Sequence, residues 1–139
     1  MNIILVLIFM IFFHILDDFH FQGVLASMKQ RKWWEENAPD ALYRNDYFVA
    51  LFIHGFSWAV MVFIPVFVYR FYMGMEILDV GMLILFIATF YGHAYIDDKK
   101  ANIHSINLIT DQLLHLVQIL WIWVWYVLYA TFVLQHADF

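Results

Sequence analysis

Four stretches of this chain are apolar and long enough to cross a membrane, and each carries histidine or aspartate near the same depth. They predict helices over about residues 2–21, 47–71, 77–96 and 107–134, each near or above the ~20 residues that a crossing needs. A backbone inside a bilayer must satisfy its own hydrogen bonds, so a helix bundle is the architecture these spans permit. The polar residues within them are His14 with Asp18, His54 alone, His93 with Asp97, and Asp111 with His115. An aspartate at the centre of a membrane helix costs roughly 2.5–3.5 kcal/mol on insertion scales. A layer of such groups must therefore be paired, hold a metal, or line a wet cavity.

Composition points the same way, since 65% of the 139 residues are hydrophobic and 21% aromatic, well beyond a soluble domain. The expected fold is all-α, a polytopic single domain of four membrane helices whose outer surface meets lipid. The net charge of -5 says little, because the position of each charge matters more than the sum. With no cysteine in the chain, any metal must be held by nitrogen and oxygen. The first apolar stretch lacks a basic leader region and a small-residue cleavage site, so it is expected to be a retained helix. After it, Lys29, Arg31 and Lys32 meet Glu35 and Glu36 beside Trp33, Trp34 and Tyr43, which predicts a short interfacial helix ending near Asn37, Ala38, Pro39 and Asp40.

Lys29, Arg31, Lys32 and Arg44 fall in the first connection, Lys99 and Lys100 in the third, and only Arg70 on the opposite side. The positive-inside bias then puts the first and third connections in the cytoplasm and both termini outside, in the inner or plasma membrane of a bacterial cell. At 1.5 Å per residue, His14, His54, His93, Asp111 and His115 lie on the order of 8–15 Å from the cytoplasmic helix ends.

Residues four apart lie one above the other on a helix face, so each His/Asp pair can point inward together. The third and fourth helices run antiparallel, and their reversed orders, His93 then Asp97 and Asp111 then His115, bring like to like across the bundle. The expected ligands of a divalent metal are His14, Asp18, His54, His93, Asp97, Asp111 and His115. They exceed the four ligands of one structural zinc, which leaves open two ions, or one ion whose remaining carboxylates support its ligands. Zinc is favoured, with manganese or iron as alternatives. Gln22 and Gln112 can orient a carboxylate or a substrate, as can Lys29 and Lys100, although the lysines are first of all topology determinants.

Asp17 and Asp98 adjoin ligands but point about 100° away on an ideal helix, which predicts interfacial or supporting roles. His20 and His104 are expected in solvent near the cytoplasmic surface, and His136 in the outer tail. Trp121, Trp123, Trp125 and Tyr126 read as lipid contact and packing, and Gly55 and Gly92 as points of close helix approach.

The segment His14, Asp18, Phe19, Gln22 and Lys29 resembles the H-x3-D-F-x2-Q segment, with its following Lys, of a family of small phage and bacterial membrane proteins catalogued as domain of unknown function three-three-zero-seven. His54 is similar to its isolated second-helix histidine, His93, Asp97 and Lys100 to its H-x3-D-x2-K segment, and Asp111, Gln112 and His115 to its D-Q-x2-H segment. The resemblance spans nearly the whole chain in order and implies that these residues form one site. A family of membrane-bound metal-dependent hydrolases also sets polar residues in apolar helices, which is an analogy of arrangement.

No Gly-rich phosphate loop, G-x-S-x-G elbow or cysteine nucleophile is present, and basic residues are too few for a nucleic-acid surface. The leading expectation is a metal-dependent hydrolase acting on a lipid or lipid-linked substrate in the cytoplasmic leaflet. One of Asp18, Asp97 or Asp111 would serve as general base. The alternative is a metal-stapled or metal-sensing structural protein without turnover. A closed ligand set argues for structure, and an open position reached from the cytoplasmic side argues for catalysis. A cation or proton pathway ranks last, because the outer halves offer few polar groups beyond Ser57, Thr89 and Gln118. Membrane lipids are the expected partners, and the aromatic fourth helix leaves room for a homo-oligomer.

Overall fold

The computed structural model describes residues 2–136, with side chains through Val133, and no strand occurs among the described residues. Helix α1 (Ile3–Leu16) starts on Asn2, whose side-chain oxygen accepts from the Ile4 N–H at 2.9 Å, and runs on through a π turn at Asp17–Phe21. Two short helices, α2 (Leu25–Met28) and α3 (Arg31–Asn37), and a 3-10 turn at Ala41–Tyr43 fill the first connection. The other long helices are α4 (Asp46–Tyr72), α5 (Val80–Ala101) and α6 (Leu108–His136). The four long helical stretches have the length and hydropathy of membrane spans, so this is an integral membrane helix bundle. Helix α5 extends past Ile96 to Ala101, which draws Lys99 and Lys100 out of the connection into the last helical turn, where cations suit the helix dipole.

Helix α4 is the centre of the bundle, packing on α1 and α5, while α6 closes the ring against both. The half away from the basic connections holds the apolar core, in which Val6 and Met10 meet Val62, Phe63 and Val66, with Met82, Leu85, Ile119 and Ile122 opposite. At that far end Arg70 is buried, donates to the Glu76 carbonyl oxygen and pairs with Asp79, which locks the α4–α5 turn. Burial pushes the Asp79 carboxyl up, but hydrogen bonds from the Met82 N–H, Tyr129 and Arg70 outweigh it and hold the group below the usual carboxylate range. Among the aromatic residues of α6, the Trp123 indole donates to the Ile3 carbonyl at 3.0 Å, Trp125 stacks on Tyr129, and Trp121 faces outward.

Gly55 sets the α4–α5 separation beside the polar layer. A Cβ there would lie 3.2 Å from the Ala94 Cβ and 3.3 Å from the Phe90 carbonyl oxygen, so neither neighbour can yield without moving a helix. Gly55→Leu is expected to destabilise the bundle by about 1–3 kcal/mol. A melting temperature in detergent equal to wild type would contradict this seam.

Candidate metal centre

The π turn in α1 decides how the acidic pair is used. On an ideal helix Asp17 and Asp18 diverge by about 100°, the basis for expecting Asp17 outside the layer. Here the wider turn, closed by the Gln22 N–H to the Asp17 carbonyl at 3.1 Å, brings both carboxylates inward. Asp17 is 1% exposed; its Oδ1 accepts from Ser57 Oγ at 2.7 Å and its Oδ2 lies 3.6 Å from His54 Nδ1. Asp18 Oδ1 lies 3.4 Å from His54 Nε2 and 4.0 Å from His93 Nε2, while its Oδ2 accepts from Gln112 Nε2 at 3.1 Å.

His93 occupies the centre. It is fully buried, with its ring stacked on Trp58 at 4.1 Å between centroids. Its Nε2 lies 3.1 Å from His54 Nε2 and its Nδ1 lies 3.1 Å from His115 Nδ1. Beyond these, His115 Nε2 is 3.2 Å from Asp97 Oδ1, and Asp97 Oδ2 is 3.3 Å from His54 Nε2. Two overlapping triads result, Asp18 with His54 and His93, and His93 with Asp97 and His115, each with its ligand atoms within 4.8 Å of one another. A tetrahedral ion with bonds of about 2.0–2.2 Å holds its ligand atoms roughly 3.3–3.6 Å apart. The 3.1, 3.4 and 4.0 Å edges of the first triad bracket that spacing.

The remaining expected ligands flank the triads. His14 is buried in the same layer, but the Trp58 indole N–H donates to its Nδ1 at 2.8 Å. Asp111 Oδ2 accepts from Gln112 at 3.1 Å and pairs with Lys100, and its Oδ1 lies 3.5 Å from His115 Nε2. Lys29, expected to orient a carboxylate as well as to mark topology, is 4% exposed and bonded to Asp97. Asn102 pins that segment on the end of α5, donating to the Lys29 carbonyl at 3.1 Å and accepting from the Arg31 N–H at 2.7 Å. Gln22 donates to the Asp18 carbonyl at 2.8 Å. Asp98 bonds Asn102 outside the layer, His20 and His104 are exposed, and the His136 side chain lies outside the described residues.

Sequence reasoning missed Ser57 and Trp58 as parts of this layer, Asn102 as the anchor of the Lys29 segment, and the inward turn of Asp17, for which it expected an interfacial or supporting role. Ser57 and Trp58 stand one helical turn after His54, a spacing that puts them on the same face and was legible. The others depend on the π turn and on a contact between distant segments. Phe19, Gln22, Lys29, Lys100 and Gln112 line a cavity beside the layer. That cavity, of about 430 Å³, opens at the basic end and has Asp18 in its wall. Toward the far end, Gln118 donates to the Thr89 carbonyl at 2.8 Å, and Met82, Leu85 and Ile122 then fill the interior.

Charge and hydrogen bonding both favour a cation here. Among the described residues Asp17, Asp18, Asp97 and Asp111 meet two ammonium groups, those of Lys29 and Lys100, so two negative charges are left for a bound cation or for protonated histidines to balance. Asp17 Oδ2 also lacks a hydrogen-bond partner. If a cation takes His54 Nε2, the imidazole proton sits on Nδ1 and faces that orphaned oxygen, the carboxylate–histidine arrangement that orients metal ligands. No family model, no curated protein and no solved structure matches this chain.

Proposed function

We propose that this protein is a membrane-embedded metal-dependent hydrolase acting on a lipid or lipid-linked substrate in the cytoplasmic leaflet, with one divalent ion, zinc in the first instance. The observation that carries this reading is the pair of buried triads sharing His93, one of which is reached from a cavity through Asp18. The two negative charges left over favour a single ion over two. A structural staple would be served by a closed ligand set; a wall shared between ligands and cavity favours turnover.

The ion would supply Lewis acidity, lowering the pKa of coordinated water towards ~7 for zinc. Asp18 is the layer's carboxylate that also lines the cavity, so as a ligand it would hold the ion where water entering there can reach it. Gln112 holds its Oδ2, and Asp17 orients His54. Lys29 and Lys100 pair with Asp97 and Asp111 within the bundle.

The test is metal analysis of the detergent-purified protein beside His115→Ala, followed by mass spectrometry of a bacterial polar lipid extract incubated with the loaded protein. One equivalent of ion, lost in the variant, and lipid cleavage abolished by chelation are expected. No ion after supplementation would remove the metal reading, and a loaded protein that leaves every lipid intact would remove the hydrolase.

A further inference from the structure

We propose that the cavity at the basic end is a head-group site for an anionic amphiphile carrying a phosphate-type oxyanion, a reading that rests on the metal site proposed above. Its volume of about 430 Å³ falls among small-molecule pockets, typically about 300–1,000 Å³. Asp18, Lys29 and Lys100 line it together with His104. Each ammonium has three N–H groups and gives one to its aspartate, Lys29 to Asp97 and Lys100 to Asp111, so donors remain for an incoming oxyanion. The Lys100 side chain is 27% exposed, so it is open to the cavity as well as bonded inward.

The apolar rim explains why the ligand is an amphiphile. Phe19 and Leu108 line the same cavity while 57% and 55% exposed, and both belong to faces that meet lipid in a membrane helix. A head group seated between the lysines can therefore leave its chain along these two side chains without crossing a polar barrier. His104 adopts φ 55°, in the left-handed region that side-chain-bearing residues rarely occupy. The Ser105 N–H bonded to the Lys99 carbonyl at 3.0 Å closes the turn that keeps it there. Asp18 is the one carboxylate in the lining, so a cation on it offsets the group that would repel an anion there.

The experiment is native mass spectrometry in detergent on metal-loaded and EDTA-stripped protein, with dioleoyl phosphatidic acid and dioleoyl phosphatidylcholine as probes and inorganic phosphate as competitor. Loaded wild type should prefer phosphatidic acid by about tenfold, the scale of one charge-assisted hydrogen bond, and the stripped protein should lose the preference. Lys100→Gln should weaken that binding. Ala26→Trp, which fills the cavity away from the ligands, should weaken it with metal content unchanged. Displacement by inorganic phosphate assigns recognition to the oxyanion alone, and resistance to it assigns recognition to the whole lipid; both support the site. Equal retention of the two lipids by loaded protein, or wild-type binding in both variants, overturns the head-group site while leaving the metal reading intact. Protein that takes up no ion overturns the metal reading itself.

Discussion

His93→Ala should abolish metal binding outright and lower the stability of the bundle by about 3–5 kcal/mol, the range for removing a large buried ring. Two effects act together. The ring is the shared member of both triads, so its loss leaves each with two ligands, too few to hold an ion tightly. It is also stacked on Trp58 with no exposed surface, and its removal opens a void between α4, α5 and α6 that apolar neighbours cannot fill without carrying Trp58 away from His14. Metal content and melting temperature in detergent measure the two effects separately. His93→Gln, which restores much of the volume but no imidazole, should recover part of the stability and none of the ion. A variant that keeps a full equivalent of metal would refute the central role of this residue.

Lys29→Met has an opposite signature in the two metal states. In the metal-free protein it removes the ammonium bonded to Asp97, and breaking one side of a buried ion pair costs about 3–5 kcal/mol. With metal present the same change removes a cation that competes for Asp97, so the ion should bind more tightly and restore much of the loss. The gap between the melting temperatures with zinc and with EDTA should therefore widen beyond that of wild type. Lys29→Met combined with Asp97→Asn should narrow the metal-free loss, because no ionised carboxylate is then left alone. An equal drop in both metal states would reduce Lys29 to a packing residue.

Both predictions turn on residues whose weight differs between sequence and structure. His54, His93 and His115 announce themselves, since imidazoles in apolar helices at one depth have few other uses. Lys29 is less conspicuous, because in sequence it sits among Arg31, Lys32 and Glu35 in a connection where it reads first as a topology determinant. Its burial follows from α2 folding back on α4 and from Asn102 fixing the Lys29 carbonyl, a contact across 73 residues.

The sequence by itself determined that the chain is an all-helical bundle of four spans and that His14, Asp18, His54, His93, Asp97, Asp111 and His115 share one layer. Hydropathy and the 3.6-residue period are local properties, and a bilayer leaves an apolar span no alternative to a helix. Only the tertiary structure decided which members of that layer meet. The π turn swings Asp17 inward against the ideal helical angle, and Trp58 claims His14 Nδ1. Lys100 and Gln112 hold Asp111 beside the triads that Asp18, His54, His93, Asp97 and His115 make. Those choices depend on the rotation and spacing of packed helices to within an ångström, which the pattern of residues along one helix does not encode.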